Sequence, residues 1–236
     1  MKGASIKKVL ILVTILAVPG FLYYLLQDQG KNRYKPLPFY GPKRVASTFH
    51  SVRGKQIPDT IYHEIRKFNF LNQHGQNITW DNYKAKVLVF GLFYTQSDDK
   101  HSVRAANKAM QALGASYAKN DMINFVSVSI DPTTDRPEVL ARYADSISAM
   151  PPKWNLLTGD SAKVFPFVNE ELLIDARQAS GIVPRKIAYG NYFILVDPQH
   201  RIRGYYEATN QESLSKLDDE IKVLIAEVLR NTKDGR

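Results

Sequence analysis

The sequence predicts an α/β domain, a central mixed sheet flanked by helices, carried behind an N-terminal transmembrane helix. Three observations predict it: a charge-free apolar run near the N-terminus, two wholly apolar segments of strand length separated by a segment of helical period, and a later pair of short strands around an Asp-Pro turn. At 236 residues, 44% hydrophobic and 23% charged, the composition is that of an ordinary globular chain. A long disordered tail, a collagen-like chain and a polytopic membrane protein are disfavoured.

Residues 9–27 hold no charged side chain. These 19 positions, at about 1.5 Å rise, come close to crossing a hydrocarbon core of about 30 Å. Lys2, Lys7 and Lys8 precede the run, Tyr23 and Tyr24 sit where an interfacial aromatic belt would lie, and Pro19-Gly20 predicts a kink. No A-x-A cleavage site follows, so the segment reads as an uncleaved anchor. Lys31, Arg33, Lys35, Lys43 and Arg44 follow it, but long domains translocate largely regardless of charge. The expectation is a single-pass protein of the inner (cytoplasmic) membrane, its domain facing the periplasm or outer side. The organisation expected is an anchor over 1–28, a Pro-containing tether over 29–56, where Pro36, Pro38 and Pro42 favour extended chain, and a folded domain over 57–232.

The net charge of +9 is unevenly spread. Residues 1–67 hold 12 Lys/Arg against three acids, and residues 68–236 hold 20 against 20. A neutral body without zinc-finger, P-loop or RNP-like motifs excludes nucleic acid as the expected partner. Attraction of the basic N-terminal region to anionic membrane lipid accounts for the excess.

Within the domain, Phe68 to Leu71 and Ile78 to Trp80 flank a turn and read as a hairpin, with His74 a solvated turn residue. The unbroken apolar run 87–94 reads as a central strand covered on both faces. Val103, Ala106, Met110, Leu113 and Tyr117 then recur at helical spacing, 123–130 is a second buried strand ending at Asp131-Pro132, and 136–143 resumes helical text. Strand–helix–strand order implies right-handed crossovers and parallel pairing. Residues 192–196 and 202–206 flank the turn 197–201 as an antiparallel hairpin. A closing helix buries Leu214, Leu217, Ile221, Leu224, Ile225 and Val228, with Thr209 and Glu212 at capping-box spacing. Trp154 is expected to pack beneath the loop after Pro151-Pro152, and Asp131 to start a turn. A hairpin, a βαβ unit, a second hairpin and a closing helix make a thioredoxin-like architecture with an N-terminal hairpin extension.

The chain contains no cysteine. That excludes a disulfide, a thiol nucleophile, a Cys-x-x-Cys redox pair and a thiolate metal ligand. No Ser-His-Asp constellation is visible, so an enzyme is not expected, least of all a thiol peroxidase.

Five phrases, Phe70-Leu-Asn-Gln-His-Gly-Gln76, Lys86-Val-Leu-Val-Phe-Gly-Leu-Phe-Tyr-Thr95, Val126-Ser-Val-Ser-Ile-Asp-Pro132 with Asp135-Arg-Pro-Glu-Val-Leu140, Trp154-Asn-Leu-Leu-Thr-Gly159 and Tyr192-Phe-Ile-Leu-Val-Asp-Pro198, stand in this order. They resemble the Sco/SenC family, membrane-anchored thioredoxin-fold proteins implicated in copper delivery to cytochrome c oxidase, over about residues 57–230. The resemblance implies a Cys-x-x-x-Cys pair after the Phe-Tyr-Thr strand end and a distant histidine, a set suited to Cu(I). Here Gln96 and Lys100 fall at the cysteine positions and Tyr189 near the histidine position, and no histidine occurs from Ser102 to Gln199. An ammonium at Lys100 would also repel a bound cation, by roughly 4 kcal/mol at about 4 Å for an effective dielectric near 20.

Two readings follow. In the first, the protein is a copper-site-less, non-catalytic accessory or assembly factor related to oxidase biogenesis. It binds no cofactor, and its partners are membrane lipid and respiratory oxidase subunits or an intact Sco-like paralogue. In the second, Asp98, Asp99 and His101 form a replacement site for a harder metal, although helix capping already accounts for residues 97–99. His50, His63 and His200 are expected to be solvated.

Overall fold

Apolar residues fill the N-terminal segment without a polar face. In the computed structural model, which describes residues 3–29, 36–52, 54–178 and 187–233, they form helix α1, Gly3–Gln29, with Pro19 inside it. Ile11, Leu16, Phe21 and Tyr24 are each more than half exposed. The expected transmembrane span is not reached: among the described residues no helix is long and apolar enough to cross a membrane. Lys2, Lys31, Arg33 and Lys35 lie outside the described residues. The chain divides between Pro36 and Leu37 into two units.

In the second unit, the segment expected as a tether is paired chain over much of its length. Strand β1, Arg44–Val52, and strand β2, Lys55–Ile61, form an antiparallel two-stranded sheet of their own, with a register shift between Val45 and Phe49. β-Branched and aromatic residues at 45, 48, 49, 52, 57 and 61 favour this over polyproline chain.

The main sheet grows from β3 (Phe70–Asn72), β4 (Asn77–Ile78), β5 (Val87–Phe93), β6 (Ile123–Ser129), β7 (Trp154–Thr158), β10 (Tyr192–Val196) and β11 (Ile202–Glu207). The small β8 (Ala176–Gln178) and β9 (Ile187–Tyr189) pair separately. The order across the main sheet is β11-β10-β5-β6-β7-β3-β4. Neighbours β5–β6 and β6–β7 run parallel, while β10 and β3 add antiparallel on either side. All seven residues of β5 are buried, as its unbroken apolar run predicts. The third parallel strand β7 was not read from periodicity, because its five residues mix Trp154, Asn155 and Thr158 with leucines.

Alternation along the central strands builds two cores, one per sheet face. Leu88, Phe90, Leu92, Val126 and Val128 pack with Phe68, Trp80, Phe167 and Leu172. Val87, Val89, Phe93, Ile123 and Phe125 meet the helices α2 (Lys100–Ser116), α3 (Pro137–Ile147) and α5 (Gln211–Lys233) through Met110, Leu140, Leu217, Ile221 and Leu224. Gly91 lets α2 approach, since a Cβ there would lie 3.1 Å from Met110 Cε and from Phe193. A short helix α4, Ser161–Pro166, leads into a turn of wider helix at Phe167–Glu171.

Several local expectations are corrected. The cap of α5 is Asn210, whose Oδ1 accepts the Ser213 N–H at 3.0 Å. Thr209 instead lies beside Glu207. His63 is half-buried and its Nε2 bonds the Glu171 carbonyl at 2.8 Å. His200 stacks on Trp80 at 3.8 Å, and burial lowers its pKa. Both are fixed by tertiary packing that local sequence does not carry. His50 is exposed and paired with Asp59 at 2.6 Å, and His74 is exposed in its turn.

The segment 37–40 is strapped to the domain by a buried arginine. Arg203, 1% exposed, donates from Nη2 to the Leu37 carbonyl (2.8 Å), from Nε to the Pro38 carbonyl (3.2 Å) and from Nη1 to Asp197 (3.1 Å). Its Nη2 also reaches Glu227 on α5 at 2.9 Å, and its Cζ lies 4.2 Å from the Phe39 ring centroid.

Candidate functional site

The loop between β5 and α2 carries the positions singled out by sequence. Strand β5 ends at Phe93, buried Tyr94 follows, and Thr95 is held from beneath: its N–H donates to Asp135 Oδ2 at 3.1 Å and its hydroxyl donates to Asp135 Oδ1. Ser129, at the end of β6, donates to the same carboxylate at 2.5 Å. Asp135 is fully buried, and burial raises its pKa against the pull of these three donors. It fixes where the loop leaves the sheet, a role sequence reading missed; its signal is the carboxylate four residues after Asp131, in a phrase quoted above only for its resemblance. Asp131 starts the turn, its carbonyl accepting the N–H groups of Thr134 and Asp135.

Beyond Thr95, Gln96 is exposed and Ser97 is buried. Asp98 and Asp99 are exposed, and Asp99 caps α2, its Oδ1 accepting the Ser102 N–H at 3.0 Å. Hydrogen bonds from the Ser102 side chain and then from its N–H lower the Asp99 pKa, as expected of a carboxylate at a helix N-terminus. Lys100 and His101 open the helix on its exposed side.

Opposite this loop stands Tyr189, placed by the pairing of β9 with β8. Its ring meets Tyr94 edge-on at 6.1 Å, and burial raises the pKa of its phenol, which stays protonated and neutral. A cavity of about 450 Å³ opens here, lined by Ser97, Asp98, Asp99, Tyr189, Tyr192 and Glu207 among others. The structure thus brings Tyr189 together with Asp98 and Asp99 at one cavity, while exposed Gln96, Lys100 and His101 do not line it. Among the described residues no group of three or more His, Asp or Glu side chains could hold a metal ion, so Asp98, Asp99 and His101 do not converge. The cavity offers carboxylates, phenols and serines, hard oxygen donors with no sulfur or imidazole, and that set does not fit Cu(I).

Trp154 is buried in β7, its indole N–H donating to Ser127 Oγ at 3.0 Å, which makes it a packing residue.

Comparison with known proteins agrees with this architecture. The SCO1 protein homolog of Bacillus subtilis is 23% identical over 171 residues, 72% of this chain and 86% of that protein. The structure of a SCO1/SenC family lipoprotein from Bacillus anthracis matches with a TM-score of 0.61 at 24% identity, over 69% of this chain and 95% of that one. BsSco, described as a member of the Sco family of cytochrome c oxidase assembly proteins with a disulfide switch, matches with a TM-score of 0.58 at 20% identity, over 69% and 93%. These structural likenesses carry the thioredoxin-like fold. With the SCO1/SenC family matching residues 59–225, well over half its length, and no cysteine anywhere in it, the chain belongs to the SCO1/SenC family as a member without the thiols of the resemblance.

Proposed function

We propose that this protein is a non-catalytic, copper-site-less accessory or assembly factor related to cytochrome c oxidase biogenesis. It is held at the inner membrane through α1, with its domain on the periplasmic or outer side. The observation that carries the reading is the combination of a kept fold with an emptied donor set: the loop and cavity remain, while the residues at the ligand positions are an amide, an ammonium and a neutral phenol. The charge-free run 9–27 and the all-round apolar surface of α1 support attachment to lipid. BsSco's description supports a role beside the oxidase. No thiol redox or peroxidase activity follows from a chain without sulfur nucleophiles. The partners proposed are oxidase subunits or an intact Sco-like paralogue.

The test is metal retention followed by co-purification. Full-length protein mixed with Cu(I), Cu(II) or Zn(II) and desalted should keep no stoichiometric metal, and it should co-purify with oxidase subunits or a cysteine-bearing Sco-like paralogue. One-to-one retention abolished by Asp99→Ala and His101→Ala would replace this reading with a metal-binding one. Failure to co-purify with either partner would remove the assembly role.

A further inference from the structure

Among the described residues, neither face of the β1–β2 hairpin is covered. Cross-strand pairs share a face, so Val45 and Phe49 stand on one side with their partners Thr60 and Pro58, while Val52, Ile57 and Ile61 stand on the other with Lys55, His50 and Arg44. Val45 is 75% exposed, Phe49 61%, Ile61 54% and Ile57 42%. An isolated two-stranded sheet is marginal in water, and both of its apolar faces lack cover among the described residues. Its charge is one-sided too: Lys43, Arg44 and Lys55 are exposed, and the acid Asp59 is already paired with His50.

We infer that this hairpin is a membrane-surface contact that beds into the headgroup zone of an anionic bilayer. A protein docking on one face would leave the other apolar face wet, whereas an interfacial medium surrounds the hairpin and covers both. Lys43, Arg44 and Lys55 complement anionic headgroups, each worth about a fivefold gain in lipid affinity. The outer edges of both strands carry backbone groups unpaired by any further strand, which confines insertion to the hydrated headgroup depth and excludes the hydrocarbon core. In the sequence the hairpin follows shortly after the proposed anchor: seven residues stand between Gln29 and the strapped Leu37, eight Cα steps or at most about 28 Å of extended chain. This inference rests on the membrane reading of α1 only for its supply of nearby lipid.

The cysteine-free chain makes the test clean. Full-length protein carrying Phe49→Cys, Ile57→Cys or, as a control on an exposed site elsewhere in the domain, Lys84→Cys is labelled with an environment-sensitive dye. It is then floated with phosphatidylcholine vesicles and with vesicles that also contain phosphatidylglycerol. The expected result is a blue shift at both 49 and 57, and none at 84, with the anionic vesicles. Replacing Lys43, Arg44 and Lys55 by Gln should raise the anionic lipid needed for half the shift by about fivefold per charge. Flotation without a shift at 49 and 57 overturns the hairpin inference and leaves the anchor standing. A shift with anionic vesicles but no flotation on neutral ones supports the hairpin and removes the anchor. A shift at one position only, or one that grows with protein concentration without lipid, overturns the inference in favour of a protein partner or a second copy. Flotation on neither vesicle overturns both.

Discussion

Arg203→Met tests whether the buried guanidinium organises the start of the domain. The substitution keeps an unbranched side chain of similar reach and removes the donors to Leu37, Pro38, Asp197 and Glu227. Its consequences differ by partner. The Leu37 carbonyl, in a residue 7% exposed, loses its charged donor, and an orphaned buried acceptor costs about 1–3 kcal/mol. Asp197 keeps Arg201 Nε at 2.9 Å and the Gln199 and Arg201 N–H groups at 3.0 Å, so it is not stranded. Glu227, with 18% of its side chain exposed, can turn to water. The expected loss is therefore about 3 kcal/mol, at the low end of the about 3–5 kcal/mol typical of breaking a buried pair. Asp197→Ala should cost more, because it leaves the 1% exposed Arg203 without its most buried counter-charge, and Glu227→Gln should cost about 1 kcal/mol. Urea unfolding of the full chain, followed by the fluorescence of the buried Trp80 and Trp154, gives all three values. A loss below about 1 kcal/mol for Arg203→Met, or Glu227→Gln exceeding Asp197→Ala, refutes the reasoning.

Three further outcomes are expected. Gln96→Cys, Lys100→Cys and Tyr189→His together should not confer one-to-one Cu(I) retention after desalting, because Gln96 and Lys100 do not line the cavity at Tyr189; retention would show that the three positions converge. Burial raises the Asp135 pKa, so between the ordinary carboxylate value near 3.8 and the raised native value the native state holds a proton that the unfolded chain has released. Its contribution is full below the ordinary carboxylate value near 3.8 and is lost as pH rises through the elevated native value. Asp135→Asn should flatten the decline in urea midpoint between those two values, and a decline of unchanged slope would contradict the assignment. Met110→Ala should destabilise by about 2–5 kcal/mol, since Met110 is 1% exposed between α2 and the sheet; a change under about 1 kcal/mol would mean that the core there collapses to fill the space.

Much of this fold was legible because its signals are local. The run that became β5, the stripe that placed Ala106, Met110 and Leu113 inward, and the Asp197 turn each declare themselves within a dozen residues. Strand β7 escaped because buried Asn155, which donates to Tyr83 Oη at 3.0 Å, and buried Thr158 break the apolar pattern without being exposed. The β1–β2 hairpin escaped because proline punctuation upstream read as tether and its apolar residues face no core. At the site, the chemistry of positions 96, 100 and 189 could be read directly from residue type. The support beneath it could not: Asp135 reaches Thr95 across 40 positions, and no periodicity encodes such a pairing.

The chain is pinned on both sides of the exposed hairpin: the Tyr40 N–H donates to Ile202 O at 3.0 Å and the Ile65 N–H to His200 O at 2.9 Å. Entry and exit therefore grip the same corner of the domain, and what lies between them is a handle whose melting, lengthening or removal need not propagate inward. The handle can thus be tuned for its own contacts while the seven-stranded body stays as it is.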